Sequence, residues 1–405
     1  MAQFDRDETQ ATPLGTPPII PAPPASPPGG TPESGSRPPA GPGSLAYIRP
    51  PAHPPETPPA PAHGYESAPQ QTYAVPDGNL APLRIPTAPA GVASATDHVR
   101  IGLWGAPRSG KTTFLGALPI AAMQHHRHSP DNWVIGGMTP QATEFLNDSV
   151  ERLTMSRVFP DATVGLEGLS WSFQGQEGPA RRFGKTRELG FVLDVQDVMG
   201  EAFNRNNPHH AQILDQLAAA KGLIYLFDPL LDGKSGTESL NYFYATLNAL
   251  NARVRDAGGH HRGRLPHYVS VCVAKFDDPA IFEPAVRAGW VTQDSVGSQI
   301  PRVPAEQSAG FFSWLCDEFR GSTARLVRDG LNNFFHPERI SYYATSAIGF
   351  RLNPQHTFDY RSYLNVESVD GKPRICTSPE PINVLEPLID LERRIRVDGR
   401  KGRLR

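Results

Sequence analysis

Apolar residues along the chain recur with two periods, and the alternation becomes legible near residue 98. VRIGLWG, starting at Val99, is an apolar run that enters a glycine-rich turn, and KTTFLGALPIAAMQ behind it has helical composition. A strand, a loop and a helix are therefore predicted in that order. Over 140–156, Ala142, Phe145, Leu146, Val150 and Leu153 recur at helical spacing until FPDAT breaks the pattern. Residues 163–174 and 186–195 both read as strands. The polar QGQEGPARRFG between them predicts an antiparallel hairpin at the edge of a sheet, with Phe191, Leu193 and Val195 on one face.

A helix over 210–220, the strand GLIYLFD, a long helix over 238–257 and the strand HYVSVCVAKFD follow. Past Pro279 the pattern loosens into an insertion over about 280–335, with GWVTQDSVGSQIPRVP and then helical FFSWLCDEF and STARLVRDGLNNF. RISYYATSAI restores a strand, a polar loop runs to Pro379, and PINVLEPLIDLERRIR predicts a closing helix. About five or six strands joined by crossover helices make one α/β domain over 98–397, a mainly parallel sheet flanked by helices.

Composition removes the first quarter of the chain from that count. Of 43 prolines, 24 lie within residues 1–98, in runs such as PPIIPAPPASPPGG, and the charge there is −4 from eight acids and four arginines. Such a stretch buries too little apolar surface to offset its ordering entropy, so a disordered Pro-rich tail over 1–97 is expected, a spacer or a docking segment for a proline-binding partner. No apolar run approaches the roughly 20 residues that cross a bilayer, and MAQFDRDETQ lacks the basic and apolar parts of a leader. A cytoplasmic protein without a membrane span is the expectation.

A net charge of −2 and a pI of about 6.7 argue against a nucleic-acid partner. The last residues, 398–405, form a basic tail within ERRIRVDGRKGRLR, whose seven basic and two acidic residues read as a frayed solubilising end. Cys272, Cys316 and Cys376 are too scattered for a disulfide frame or a zinc site and suggest a reducing compartment. His125, His126 and His128, His209 and His210, and His260 and His261 lack acidic or cysteine partners at ligand spacing and read as solvated helix ends and loops. Trp133, Trp171, Trp290 and Trp314 lie in four segments, which suits core packing better than a stacking platform for bases.

Chemistry concentrates at 105–112, where GAPRSGKT matches the phosphate-loop pattern GxxxxGK[ST] between a strand and a helix. In the loop of Gly105, Ala106, Pro107, Arg108, Ser109 and Gly110, backbone amides from Ala106 to Lys111 would cradle phosphates. The Lys111 ammonium would reach their outer oxygens, the Thr112 hydroxyl would ligate Mg²⁺, and Thr113 would face the inner phosphate. A second carboxylate is expected at a neighbouring strand end to hold the metal through water. Asp197 in DVMGE is preferred over Asp194, since Gly200 behind it is free to turn its amide toward a terminal phosphate.

GAPRSGKTT followed by DVMGE resembles the translation-factor and Ras-like (TRAFAC) class of P-loop GTPases and, more narrowly, the large divergent GTPase-like proteins of bacteria, over about 99–397. The resemblance implies a small GTPase-like P-loop fold and an [NT]KxD sequence at a later strand end. Ala274, Lys275, Phe276 and Asp277 occupy that place: Asp277 would accept hydrogen bonds from guanine and the Lys275 stem would cover the ring. Ala274 departs from the family's Asn or Thr and removes a polar brace. Ser346 and Ala347 in ATSAIG correspond to the family's last guanine loop.

The resemblance also implies a switch threonine on Mg²⁺, for which Thr163 is the candidate and Thr186 the competitor. Where many relatives carry Gln after the switch glycine, this chain has Glu201, whose charge would repel the terminal phosphate and slow hydrolysis. Arg108 reads as a solvated loop side chain, and Arg181 or Arg182 as a possible source of a second cation. The expected function is a Mg²⁺-dependent guanine-nucleotide switch that hydrolyses GTP to GDP slowly, with protein effectors or regulators as partners. The alternatives are a hydrolysis-deficient nucleotide scaffold and an ATP-specific P-loop protein with Asp194 as the metal-side acid.

Overall fold

β1 (Val99–Gly105) runs inside a seven-stranded sheet and is buried at all of its positions except Arg100. It pairs in parallel with β4 (Arg187–Val195) on one side and β5 (Gly222–Phe227) on the other, and β6 (Tyr268–Val273) and β9 (Ile340–Ala344) extend the parallel run. On the far side of β4, β3 (Leu169–Glu177) is antiparallel to it and β2 (Asn132–Gly137) antiparallel to β3. The strand order is therefore β2-β3-β4-β1-β5-β6-β9. In this computed structural model the described residues are 99–403 except 128, 130, 161–168, 178–186, 196–209, 233–236, 294–296 and 320–321.

The continuous apolar runs of β1 and β5 follow from burial on both faces. Leu223, Tyr225 and Phe227 of β5 join one core and Ile224 and Leu226 the other. The first core lies under α3 (His210–Ala219), α4 (Glu238–Asp256), α5 (Pro279–Arg287), α6 (Ser308–Trp314) and α7 (Ser322–Phe334). The second lies under α1 (Lys111–Gln124), α2 (Pro140–Glu151) and α8 (Glu386–Arg403). This is the expected mainly parallel sheet between helical layers.

Several local features depart from expectation. The predicted hairpin exists, but it is not the sheet edge, because NWVIGG forms β2 outside it. The helix predicted over 140–156 starts as expected: Pro140 opens it and the Thr139 hydroxyl accepts from the Ala142 N–H at 3.1 Å. Its last turn, Arg152–Ser156, widens into a π-helix that ends at Arg157 in the left-handed region (φ 55°). The polar loop before Pro379 holds a second hairpin, β10 (Val366–Val369) with β11 (Lys372–Ile375), and the insertion holds a two-residue ribbon, β7 (Thr292–Gln293) with β8 (Pro301–Arg302).

α8 runs on to Arg403, into the stretch read as a frayed tail, whose last two residues lie outside the described ones. Three of its arginines are engaged with the domain: Arg393 with Asp131 at 2.7 Å, Arg394 with the Glu338 carbonyl at 2.8 Å, and Arg396 with the Gly190 carbonyl at 2.9 Å. They anchor the helix to the domain. His125 is likewise buried and not solvated, with Nδ1 3.7 Å from Glu386. Trp133 and Trp171 are core residues, as expected, and Trp290 and Trp314 pack against the core partly buried.

Candidate functional site

Gly105 ends β1, and the chain turns through Ala106 to Gly110 before α1 begins. The turn closes through the Ser109 N–H on the Ala106 carbonyl at 3.1 Å, with Arg108 (φ 64°) and Gly110 (φ 91°) in the left-handed region. Glycine adopts that φ without strain at the residue that caps α1. The first turn of α1 carries no acidic side chain, and the partial positive charge of a helix start favours an anion there. Lys111 Nζ donates to the Gly105 carbonyl at 2.9 Å and to the Ala106 carbonyl at 3.0 Å, which places its ammonium at the loop. Arg108 points elsewhere, in an exposed 3.5 Å pair with Glu238 that contributes little.

Two further loops meet this one at the same end of the sheet. After β6, the Ala274 N–H donates to the Phe227 carbonyl (2.8 Å) and the Phe276 N–H to the Thr345 carbonyl (3.0 Å), while the Thr345 N–H returns to Val273 (2.8 Å). Asn383 Nδ2 also donates to the Ala344 carbonyl at 2.8 Å. Main-chain bonds thus brace AKFD against ATSA without the side chain that Ala274 lacks. Lys275 sits at φ 58° with Nζ 2.6 Å from the buried Asp228, so its head is fixed and its stem lines the space between the loops. Asp278 caps α5 by accepting from the Ala280 N–H at 2.8 Å.

Asp277 is half-buried and hydrogen-bonded to the Ser346 hydroxyl; burial raises its pKa to about 6, more than that bond and Lys275 lower it. Because the shift is upward, Asp277 favours folding most when protonated, and that contribution fades as pH rises through about 6. Asp277→Asn is accordingly expected to raise the Tm of the ligand-free chain at pH 7.5 by more than at pH 4.5. Thermal melts at the two pH values check the sign.

The three loops enclose one cavity of about 410 Å³, lined by Ser109, Gly110 and Thr113 from the first, Ala274, Lys275 and Asp277 from the second, and Thr345 and Ala347 from the third. Ser346 lies just behind it, fully buried, with Oγ accepting from the Gly349 N–H at 2.8 Å. Gly349 has φ 66°, and a Cβ there would lie 1.8 Å from the Glu380 carbonyl oxygen. Gly349→Ala is therefore expected to cost more than about 2 kcal/mol, seen in denaturant unfolding, because both strain and collision oppose it.

Asp194 is committed elsewhere: Arg100 donates to it at 2.9 Å and the Ser170 hydroxyl at 2.6 Å. Asp197, Gly200, Glu201, Thr163, Thr186, Arg181 and Arg182 lie outside the described residues. The cavity also has walls that the sequence does not announce, namely Phe159, Ile348, Leu364, Asn365 and Val366. Phe159 stands in the segment read as a helix breaker, and Leu364 to Val366 in the loop read as polar. The one available signal is Asp370-Gly371, a hairpin-turn pair with both φ values positive, which marks β10 and β11.

No protein-family model matches the chain, and no curated protein matches it. Among solved structures it is similar to Sup35 complexed with GDP, at 12% identity over 64% of this chain and 41% of that one, with a TM-score of 0.25. It is also similar to the S. cerevisiae Ski7 GTPase-like domain bound to GTP, at 11% identity over 65% of this chain and 46% of that one, with a TM-score of 0.31. The likeness to GTPase-fold domains is remote. The chain spans less than half the length of either structure.

Proposed function

We propose that this protein binds a guanine nucleotide in the cavity between the three loops and acts as a Mg²⁺-dependent switch that hydrolyses GTP to GDP slowly. The observation that carries this reading is the convergence of GAPRSGKT, AKFD and ATSA, far apart in sequence, on one cavity at one end of the sheet. Its volume is within the usual range for small-ligand sites. Phosphates would lie at the start of α1 under the loop amides and Lys111, and the base between the Lys275 stem and Asp277.

The donors fit a magnesium ion in kind. Thr112 places a hard hydroxyl oxygen in the first turn of α1, and Asp197 and Thr163 are the further candidates by sequence. Bound there, Mg²⁺ would neutralise charge on the phosphate oxygens. The chain's own contribution would come from Lys111, stabilising charge on the transferring phosphoryl group, and from the loop amides, fixing its orientation. In hydrolysis a water oxygen bonds to the terminal phosphorus as the bond to the bridging oxygen breaks, leaving GDP, phosphate and a proton. By the resemblance Glu201 takes the place of the Gln that many relatives carry, and its charge there would slow turnover.

Titration of the full chain with fluorescent GTP and ATP analogues in Mg²⁺, followed by phosphate release from the tighter ligand, tests the reading. Selective GTP binding with slow release supports it. GTP binding without release would make the protein a nucleotide-binding scaffold, and preference for ATP would end the guanine assignment.

A further inference from the structure

Leu364 is 47% exposed, yet it lines the same cavity as Lys275 and Asp277. It is held there by its neighbour. Asn365 is 2% exposed and accepts at Oδ1 from the Thr377 N–H (2.9 Å) and the Thr377 hydroxyl (2.8 Å), while Nδ2 donates to the Ile348 carbonyl at 3.2 Å. Its own carbonyl accepts from the Cys376 N–H at 2.9 Å. A buried side chain held by these three hydrogen bonds fixes the backbone around it. The strand beyond is fixed too: the Ile375 N–H donates to the Arg157 carbonyl at 3.0 Å and the Arg157 guanidinium to the Cys376 carbonyl at 2.9 Å. One network therefore ties the Leu364 wall to the ATSA loop and to the segment that carries Phe159.

Hydrogen bonds to the edge of a base contribute little net affinity while water competes for them. An apolar side chain against the ring face removes that water and adds contact area, and Leu364 is an apolar group at the cavity rim with no other described role. We propose that Leu364 is a wall for the purine ring and that Asn365 is the positioning residue that holds it, so that the 350–379 segment sets how long a nucleotide stays bound. This rests on the nucleotide reading above.

The test is the dissociation rate of a fluorescent GDP analogue from the full chain, chased with unlabelled GDP. Leu364→Ala is expected to release it about tenfold faster, with Leu364→Met close to wild type. Displacement of the analogue by inorganic pyrophosphate, which has no base, reports the phosphate site separately and should require an unchanged ratio of pyrophosphate affinity between variants. Asn365→Ala should also speed release, but in the Leu364→Ala background it should add little, because it acts through that side chain. A wild-type chain that binds GDP and whose Leu364→Ala variant releases it at the wild-type rate overturns the wall and leaves the nucleotide reading standing. Full additivity of the two substitutions overturns the positioning role of Asn365. A wild-type chain that binds neither GDP nor pyrophosphate overturns the wall together with the reading beneath it.

Discussion

Lys111→Ala is expected to weaken binding of GDP and ADP alike, by about hundredfold, while leaving the fold intact. The ammonium bonds to the carbonyls of the Gly105–Ala106 turn at 2.9 and 3.0 Å, beside the start of α1 where phosphate oxygens would lie. Charge-assisted hydrogen bonds of this kind contribute about 1.5–3 kcal/mol each, and about 1.4 kcal/mol is tenfold in affinity. The equality between the two nucleotides matters as much as the size, because Lys111 addresses phosphates and not the base. Calorimetric titration of both ligands checks it, with a thermal melt to show that the variant is folded. A loss confined to one nucleotide would mean that Lys111 is not where the phosphates lie.

Asp277→Ala is expected to show the complementary pattern, about hundredfold weaker GDP binding with ADP binding little changed. Guanine presents two adjacent N–H donors to a carboxylate, whereas adenine presents no such pair, and a site built to accept hydrogen bonds discriminates strongly between ligands that donate them and ligands that do not. The raised pKa of Asp277, about 6, adds a pH signature. The carboxylate must be ionised to accept both donors, so the ratio of GDP to ADP affinity should be constant above pH 7 and fall by about tenfold per unit well below pH 6. Using the ratio cancels the titration of the phosphates, which the two nucleotides share. A ratio that stays flat from pH 7.5 to pH 5 would remove Asp277 from base recognition.

The GAPRSGKT, AKFD and ATSA segments are legible in the chain because each is a short local pattern directly after an apolar strand. What the sequence does not announce depends on contacts between distant residues. β2 is hidden because Gly136 and Gly137 dilute a strand whose inward side chains are only Trp133 and Ile135; pairing with β3 makes it, not propensity. His125 reads as polar at a helix end, but the fold covers it next to Glu386. Leu364 and Asn365 belong to a stretch rich in Asn, Ser and Asp, and nothing in its period places it against AKFD, about ninety residues earlier. The loss of the polar brace at Ala274 is visible in the sequence, whereas its replacement by main-chain bonds from the Ala274 and Phe276 N–H groups to the Phe227 and Thr345 carbonyls becomes visible only in the fold.

The claim that Asp277 reads the base through its two oxygens is tested most directly by measuring the affinities of the wild-type and Asp277→Asn chains for GDP and for xanthosine diphosphate. Xanthine carries a carbonyl where guanine carries its exocyclic amine, so it matches a side chain that donates as well as accepts. The wild-type chain is predicted to prefer GDP, and Asp277→Asn to prefer xanthosine diphosphate, each by about tenfold or more. Equal affinities of the wild-type chain for the two nucleotides, or the same preference in both chains, would contradict the account.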